Sequence, residues 1–452
     1  MDIIELLRRE FNPRQVIVDE TSLTAYATDE SGEGPYYPRA AFLAQSPLEV
    51  EKLLRLASME GFAVTPRGLG TGKSGGALPV CGGVVLAMDG MKRILEIDED
   101  SSLAIVEPGI ITQTLQQAVW EHRLFYPPDP ASLDTCSLGG NVAENAGGPR
   151  AFRYGVTREY VLGMEAVTMG GKRFNLGRKS IKGVSGYDLT GLLTGSEGTL
   201  AVFTKLIMRL IPRHREPGIV LAFYADLASA ARAVTALLSS SVHPMALELI
   251  DGYSLKNITG IEGFAPPAEA GGAILCEMEG LPDDDALLER LADILEGGDP
   301  LHIDVAMDPS ACRRLWTARR NVSTRLKENH RYKISEDIAV PRAAIPAAVA
   351  QVQEIARRHG LHMGCYGHAG DGNLHVNFVT DDDGARKNFA MAVEELFVTT
   401  IRLGGTLSGE HGIGISKKRF MALEHDPNSL DMMHAIKKAW DPQNLLNPGK
   451  IL

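Results

Sequence analysis

No apolar run in the chain reaches the roughly 18 residues that a membrane-spanning helix needs. The N-terminal stretch MDIIELLRREF is charged and amphipathic and lacks the apolar core of a signal peptide. Cysteine is scarce: Cys81, Cys136, Cys276, Cys312 and Cys365 stand far apart and form no CxxC pair. That argues against a disulfide framework, a zinc ribbon or an iron–sulfur cluster, and for reduced thiols in a cytoplasmic protein. Positive charge is in deficit as well, 46 Lys and Arg against 57 Asp and Glu, for a net −11. Such a balance disfavours nucleic acid or an anionic membrane as the principal partner. Nor is there an internal repeat of fixed period. With 452 residues, 44% of them hydrophobic and 23% charged, the chain has the length for two or three globular domains.

Glycine, by contrast, is plentiful at 47 residues, and it clusters. In VTPRGLGTGKSGGALP (64–79), Gly70, Gly72 and Gly75 spell a dinucleotide fingerprint, and Gly72-Lys73-Ser74 ends like a phosphate-binding P-loop. Neither pattern survives its physics. Arg67 stands where a P-loop has its leading glycine. The fingerprint needs a helix to open at the loop, with its N-terminus facing the pyrophosphate. Here Pro79 and Gly82-Gly83 lead instead into an extended apolar run, VVLAM. The expectation is strand, glycine-rich loop, strand. Backbone N–H groups in such a loop can nest a diphosphate, although a plain surface loop reads the same way.

Upstream, Ser46-Pro47-x-Glu49 is a capping box that starts a helix ending at Gly61, followed by a strand, FAVTP. Residues 127–155 are dense in turn formers and predict a long loop, either disordered or functional. Gly139-Gly140 and Gly147-Gly148 would let it lie against a flat ligand, with Asn141 and Asn145 bonding a ring edge. Beyond Pro212 the texture changes. GIVLAFY, PMALELI, GGAILCEMEG and LHIDVAM read as strands and flank helical runs over 226–240 and 283–296. This predicts an α+β domain with helices on one face of a sheet. Two further helices end near Gly360 and Gly404.

Chemistry-bearing residues gather in three stretches. CYGHAGDGNLHVNF (365–378) reads as two strands joined by a tight Asp371-Gly372 turn, with His368 and His375 at the neck and His375 and Asn377 on one face. LSGEHGIG (407–414) adds Glu410 and His411. Two imidazoles and a carboxylate make a three-ligand metal set with open positions; structural histidines and an ordinary turn explain the same letters. In WTARRNVSTRLKENHRYK, Arg319 and Ser323 are four apart on one helix face, a pairing suited to a carboxylate or to a merely solvated basic surface.

Taken in order, PRGLGTGKSGG, PPDPAS, CSLGGNVAENAGG, YGVTREYVLGMEAV, GSEGTLAVFTKLIMRL, GHAGDGNLHVNF, SGEHGIG and DPQNLLNPGKIL resemble the FAD-linked oxidases of the vanillyl-alcohol-oxidase, or PCMH-type, superfamily. The nearest branch holds glycolate oxidase flavin subunits, D-lactate dehydrogenases and D-2-hydroxyglutarate dehydrogenases, and the likeness runs from about residue 38 to the C-terminus. It implies an α+β architecture with a PCMH-type FAD-binding domain at 1–212. A substrate- and metal-binding domain, an antiparallel sheet covered by helices, would follow at 213–425, and a tail at 426–452 would return to the FAD domain. It implies FAD held by Pro66, Arg67, Gly68, Gly70, Thr71, Gly72, Ser74 and Gly75. The long stretch would add Pro130, Ser137, Gly139, Gly140, Asn141, Ala143, Asn145, Gly148, Tyr154 and Gly155; Glu197, Gly198, Ala201, Val202 and Asn447 would complete the set. Residues 70–76 contain no histidine, so the flavin is expected to be non-covalent.

By the same resemblance His368, His375 and Glu410 hold a divalent metal, whether zinc, manganese or iron. Arg319, Ser323, Asn377 and His411 face the substrate, with Arg319 fixing its carboxylate and His411 taking its hydroxyl proton. One position departs from the hydroxyglutarate enzymes: Ser335 stands where they have a lysine, and the nearest lysine is Lys333. The expected activity is therefore oxidation of a small D-2-hydroxy acid, D-lactate or glycolate, by hydride transfer to flavin N5. D-2-hydroxyglutarate dehydrogenase and a non-catalytic electron-relay subunit are the alternatives. Electrons would pass to an iron–sulfur subunit, an electron-transfer flavoprotein or a quinone. A homodimer, and attachment to the membrane periphery through a partner, fit the same picture.

Overall fold

The computed structural model describes residues 2–452. The chain divides into two compact units. The first comprises residues up to Gly147, Val156–Arg213 and Glu410–Leu452; the second comprises Gly148–Gly155 and His214–Gly409. The return to the first unit thus begins at Glu410, ahead of the tail expected from 426.

In the first unit, β1 (Val16–Ile17), β2 (Ala40–Leu43), β3 (Val64–Arg67) and β4 (Val84–Ala87) form a sheet of order β1-β2-β4-β3, with β2 and β3 parallel to β4. Parallel strands of one sheet require a crossover, and the helix Pro47–Glu60 supplies it between β2 and β3, which flank β4. Ser46 Oγ accepts from the Glu49 N–H at 3.4 Å, Pro47 takes the first helical position, and Gly61 ends the helix at φ 75°. Its apolar stripe of Val50, Leu53, Leu54 and Ala57 packs with Phe42, Val64, Val84 and Leu86 of the sheet. No helix lies between β3 and β4, so the glycine-rich stretch is a strand–loop–strand connection.

The second sheet of this unit is antiparallel. It contains β5 (Ile94–Asp98), β6 (Leu103–Val106), β8 (Val161–Thr168), β9 (Lys172–Gly177) and β10 (Val202–Arg209) in the order β5-β6-β10-β8-β9. A short ribbon pairs β7 (Leu124–Phe125) with β11 (Ile211–Pro212). The stretch 127–155 is not the uninterrupted loop its composition predicts. It contains the helices Leu138–Glu144 and Ala151–Tyr154. Ser137 caps the first, Asn145 ends it at φ 57°, and burial of Leu138 and Val142 outweighs the low helix propensity of its glycines.

The second unit is built on a seven-stranded antiparallel sheet. Its strands are β12 (Pro217–Tyr224), β13 (Ala246–Asp251), β14 (Gly272–Glu279), β15 (His302–Ala306), β16 (Tyr332–Ala339), β17 (His362–His368) and β18 (Asn373–Thr380). Their order is β15-β12-β14-β13-β17-β18-β16. Helices cover both faces rather than the one expected. Ile219, Leu221, Phe223, Ile250, Ala273 and Leu275 pack with Leu255, Leu315, Trp316, Val322 and Leu326 of three helices on one side. Alternate strand residues face the other way, where Tyr224 Oη donates to the Leu295 carbonyl at the end of the helix Asp285–Glu296. In β12, β13 and β14 nearly every position is buried, so strict polar alternation is absent and both faces demand cover.

Candidate active site

Within the first unit, the loop after β3 meets three other segments. The Glu197 N–H donates to the Ala143 carbonyl at 2.8 Å, and the Gly195 N–H to the Val142 carbonyl at 2.9 Å. Asn447 Nδ2 donates to the Gly76 carbonyl at 3.0 Å and the Glu197 carbonyl at 2.7 Å. The Glu197 carboxylate accepts from the Ile413 N–H at 2.8 Å and the Gly414 N–H at 2.7 Å. Burial pushes this carboxyl up, against those two donors and the charges of Lys450 and Lys417. The structure therefore brings residues 68–76, 137–145, 195–198 and 447 together.

Several side chains expected at the flavin have structural partners. Arg67 is 7% exposed, and its guanidinium donates to the Ala25 and Thr28 carbonyls, both at 2.9 Å. Gly70, at φ 73°, is required by that arginine, because a Cβ there would lie 2.0 Å from the guanidinium. Asn141 Nδ2 donates to Thr112 Oγ1 at 2.6 Å, and Asn145 Oδ1 accepts from the Arg158 N–H at 2.9 Å. Ser137 Oγ accepts from the Gly140 N–H at 3.2 Å, next to Gly139. Pro66, Gly68, Thr71, Gly72, Gly75, Pro130, Ala143, Gly198, Ala201 and Val202 lie in this unit too, whereas Gly148, Tyr154 and Gly155 fold with the second. Arg150 ties that short segment down, pairing with Glu277 through Nε at 2.9 Å and a terminal nitrogen at 3.0 Å. Ser74 is 1% exposed and its Oγ has no hydrogen-bond partner among the described residues, which fits a hydroxyl facing a bound polar group.

In the second unit, register puts the polar residues on the sheet face covered by the helices Pro309–Arg320 and Val322–Asn329. Glu248 of β13 pairs with His368 of β17, and His375 of β18 pairs with Tyr366 on one side and Asp337 of β16 on the other. The rings of His368 and His375 stand edge to face, 5.2 Å between centroids. Glu248 is completely buried; its Oε1 meets His368 Nδ1 at 2.6 Å and its Oε2 accepts from Arg319 Nε at 2.5 Å. Burial alone would push the Glu248 carboxyl up, but Arg319 and His368 outweigh it and hold it at about 2. The Arg319 guanidinium lies 4.6 Å from the Tyr366 ring centroid.

Asp337 accepts from Ser408 Oγ at 3.1 and 3.2 Å and from the Gly409 N–H at 2.8 Å, pinning the irregular segment that leads to Glu410. Glu410 itself opens the returning segment of the first unit, where its Oε1 lies 3.9 Å from His411 Nε2. Asn377 is fully buried. It donates to the Gly364 carbonyl at 3.3 Å, while its Oδ1 has no partner among the described residues. Arg319 and Ser323 do not share one unbroken helix, since Asn321 separates two. Ser323 takes Lys333 Nζ instead, at 2.6 Å through Oγ and 2.8 Å through its carbonyl.

Glu248, Asp337 and Lys333 hold site residues or the segments that carry them through hydrogen bonds, yet none is among the residues expected at the site. A lone carboxylate inside the apolar strand PMALELI was the available signal for Glu248.

Residues 212–451 match the family described as FAD linked oxidases, C-terminal domain, and residues 38–177 match the FAD binding domain family. The chain is 35% identical to glycolate oxidase subunit GlcD of Bacillus subtilis over 453 residues, 100% of this chain and 96% of the relative. It is 36% identical to a D-lactate dehydrogenase of Archaeoglobus fulgidus, covering 92% of this chain and 93% of that one. Among solved structures, p-cresol methylhydroxylase superposes with a TM-score of 0.80 at 17% identity, covering 99% of this chain and 96% of that one. The chain belongs to the FAD-linked oxidases and is an FAD-dependent oxidoreductase of PCMH-type fold.

Proposed function

We propose that this oxidoreductase removes a hydride and a proton from a small 2-hydroxy acid, D-lactate or glycolate, giving the 2-oxo acid. The observation that carries the reading is the grouping on one sheet face of a buried arginine, two facing imidazoles and an asparagine with an unbonded amide oxygen. Relatives named for glycolate and for D-lactate support the same substrate class.

His368, His375 and Glu410 are the proposed ligands of a divalent metal, two imidazoles and a carboxylate being a donor set that zinc, manganese or iron accepts. Gly409 is held by Asp337 opposite His375, and Glu410 is the next residue along the chain. When bound, FAD would supply the hydride acceptor and the metal would supply Lewis acidity toward the substrate hydroxyl. The protein's own residues do the rest. Glu248 meets Arg319 through Nε and one terminal nitrogen, and Arg319 binds the carboxylate through its remaining N–H groups, fixing which face of C2 is presented. Asn377 Oδ1 accepts from the substrate, and His411 takes the hydroxyl proton. A protein acceptor or a quinone would take the electrons onward. The loop 70–76 has no histidine, so FAD is held without a covalent bond.

A second reading, oxidation of D-2-hydroxyglutarate, is favoured by Lys333, whose ammonium lies at Ser323 and could meet a second carboxylate. An anaerobic titration of the metal-replete protein separates the two by the bleaching of its visible flavin band. Bleaching by D-lactate or glycolate, abolished by chelation or by His375→Ala, is the expected result. Bleaching by D-2-hydroxyglutarate alone, lost in Lys333→Met, would transfer the assignment to the second reading. A flavin- and metal-loaded protein that none of these acids bleaches would reject both.

A further inference from the structure

Glu248 sits at the centre of a seven-stranded sheet, completely buried on a strand where every residue is buried. A leucine would serve packing at such a position, and an ionised carboxylate is tolerated there only with partners on both oxygens. One partner is His368 Nδ1 at 2.6 Å; the other is Arg319 Nε at 2.5 Å. A carboxylate can only accept, so the bond to Nδ1 assigns the imidazole proton to that nitrogen and turns the Nε2 lone pair outward. The bond to Nε likewise fixes the edge of the guanidinium, and the Tyr366 ring 4.6 Å away fixes its plane.

We infer that Glu248 is a positioning residue that orients, through one carboxylate, both a metal-ligating histidine and the substrate-binding arginine. The inference rests on the roles proposed above for His368 and Arg319, and it adds a coupling between them. Charge that Arg319 draws from Glu248 is charge that His368 lacks. Engagement of Arg319 by a substrate carboxylate therefore leaves Glu248 a stronger partner for the histidine, and the imidazole a better ligand.

The test is zinc affinity, measured on the flavin-loaded protein by competition with a chromophoric chelator. Wild type, Glu248→Gln, Arg319→Met and the double variant are compared, each with its thermal midpoint and flavin spectrum. Glu248→Gln is expected to loosen zinc by about 10- to 100-fold, the usual cost of losing a partner behind a metal-bound histidine. It also strands a buried cation and is expected to lower the midpoint. The double variant removes that cation, so its midpoint recovers while zinc stays loosened by the same factor. Arg319→Met keeps the Glu248–His368 bond and is expected to hold zinc at least as tightly as wild type. A double variant that binds zinc like wild type, or an Arg319→Met as loose as Glu248→Gln, would overturn the inference and reduce Glu248 to half of a buried ion pair. A folded, flavin-loaded wild type that takes up no zinc would instead reject the metal site itself, and the inference with it.

Discussion

Asp251 shows how one residue can carry a cost that its own hydrogen bonds do not remove. It caps the short helix Gly252–Asn257, its Oδ1 accepting from the Ser254 N–H at 2.8 Å. Burial nevertheless pushes its carboxyl from 3.8 up to about 6, against the pull of Ser254 and the Cys365 backbone. The folded state therefore binds the proton more tightly than the unfolded chain between those two values. Relative stability is fully present below the lower value and is lost as pH rises through the upper one. Asn keeps the cap without the charge. Asp251→Asn is expected to raise unfolding stability at about pH 8 by up to ~3 kcal/mol, and to lose that advantage near pH 4. Denaturant unfolding of both proteins across that range checks it; parallel curves would mean that Asp251 is not the titrating group. The sequence exposed such residues only one at a time. Glu248 was visible as an isolated acid in an apolar strand, but Arg319 lies 71 positions away and His368 120, and no local pattern joins them.

At the scale of elements, the hairpin that carries the two histidines is the clearest case of local specification. The Asp371-Gly372 turn and the flanking apolar runs place both strands of the hairpin, β17 and β18, and the turn between them. Gly372 has φ 87°, and a Cβ there would lie 2.0 Å from the Val340 carbonyl oxygen. Gly372→Ala is therefore expected to cost at least ~1–3 kcal/mol from backbone strain alone. Zinc uptake should weaken with it, since the turn sets the spacing of His368 and His375. Thermal unfolding and metal competition read the two effects, and an unchanged midpoint would show that the loop relaxes around the methyl group. Elsewhere the local signal misled. Turn formers hid the helix Leu138–Glu144, because capping and burial decide a short helix more than propensity does. The one-residue break at Asn321 left no mark in the spacing of Arg319 and Ser323.

At the scale of the molecule, the first unit is assembled from three separated segments, and its closure depends on the last one. The Asn447 N–H donates to the Val64 carbonyl at 2.7 Å, its side chain holds Gly76 and Glu197, and Lys450 Nζ donates to the Leu78 carbonyl at 2.6 Å. Asn447→Ala leaves two buried carbonyls without this donor, which should cost about 1–3 kcal/mol. It should also lower the flavin-to-protein absorbance ratio that survives gel filtration. A ratio equal to wild type would mean that the glycine-rich loop keeps its shape without the C-terminal segment. Among the described residues, no helix is long and apolar enough to cross a membrane.

The sequence by itself determined the strand–loop–strand at the glycine cluster, the capped crossover helix, the histidine hairpin and the family. Each is written in contiguous residues, whose turn chemistry, capping and order along the chain act locally. Only the tertiary structure decided that Arg67 and Asn141 turn to their own backbone and side-chain neighbours, and that helices cover both faces of the seven-stranded sheet. It alone decided that one buried glutamate joins Arg319 to His368. Those outcomes depend on which distant segments must satisfy a buried donor or acceptor, and that is settled only when the sheet register and its covering helices are in place.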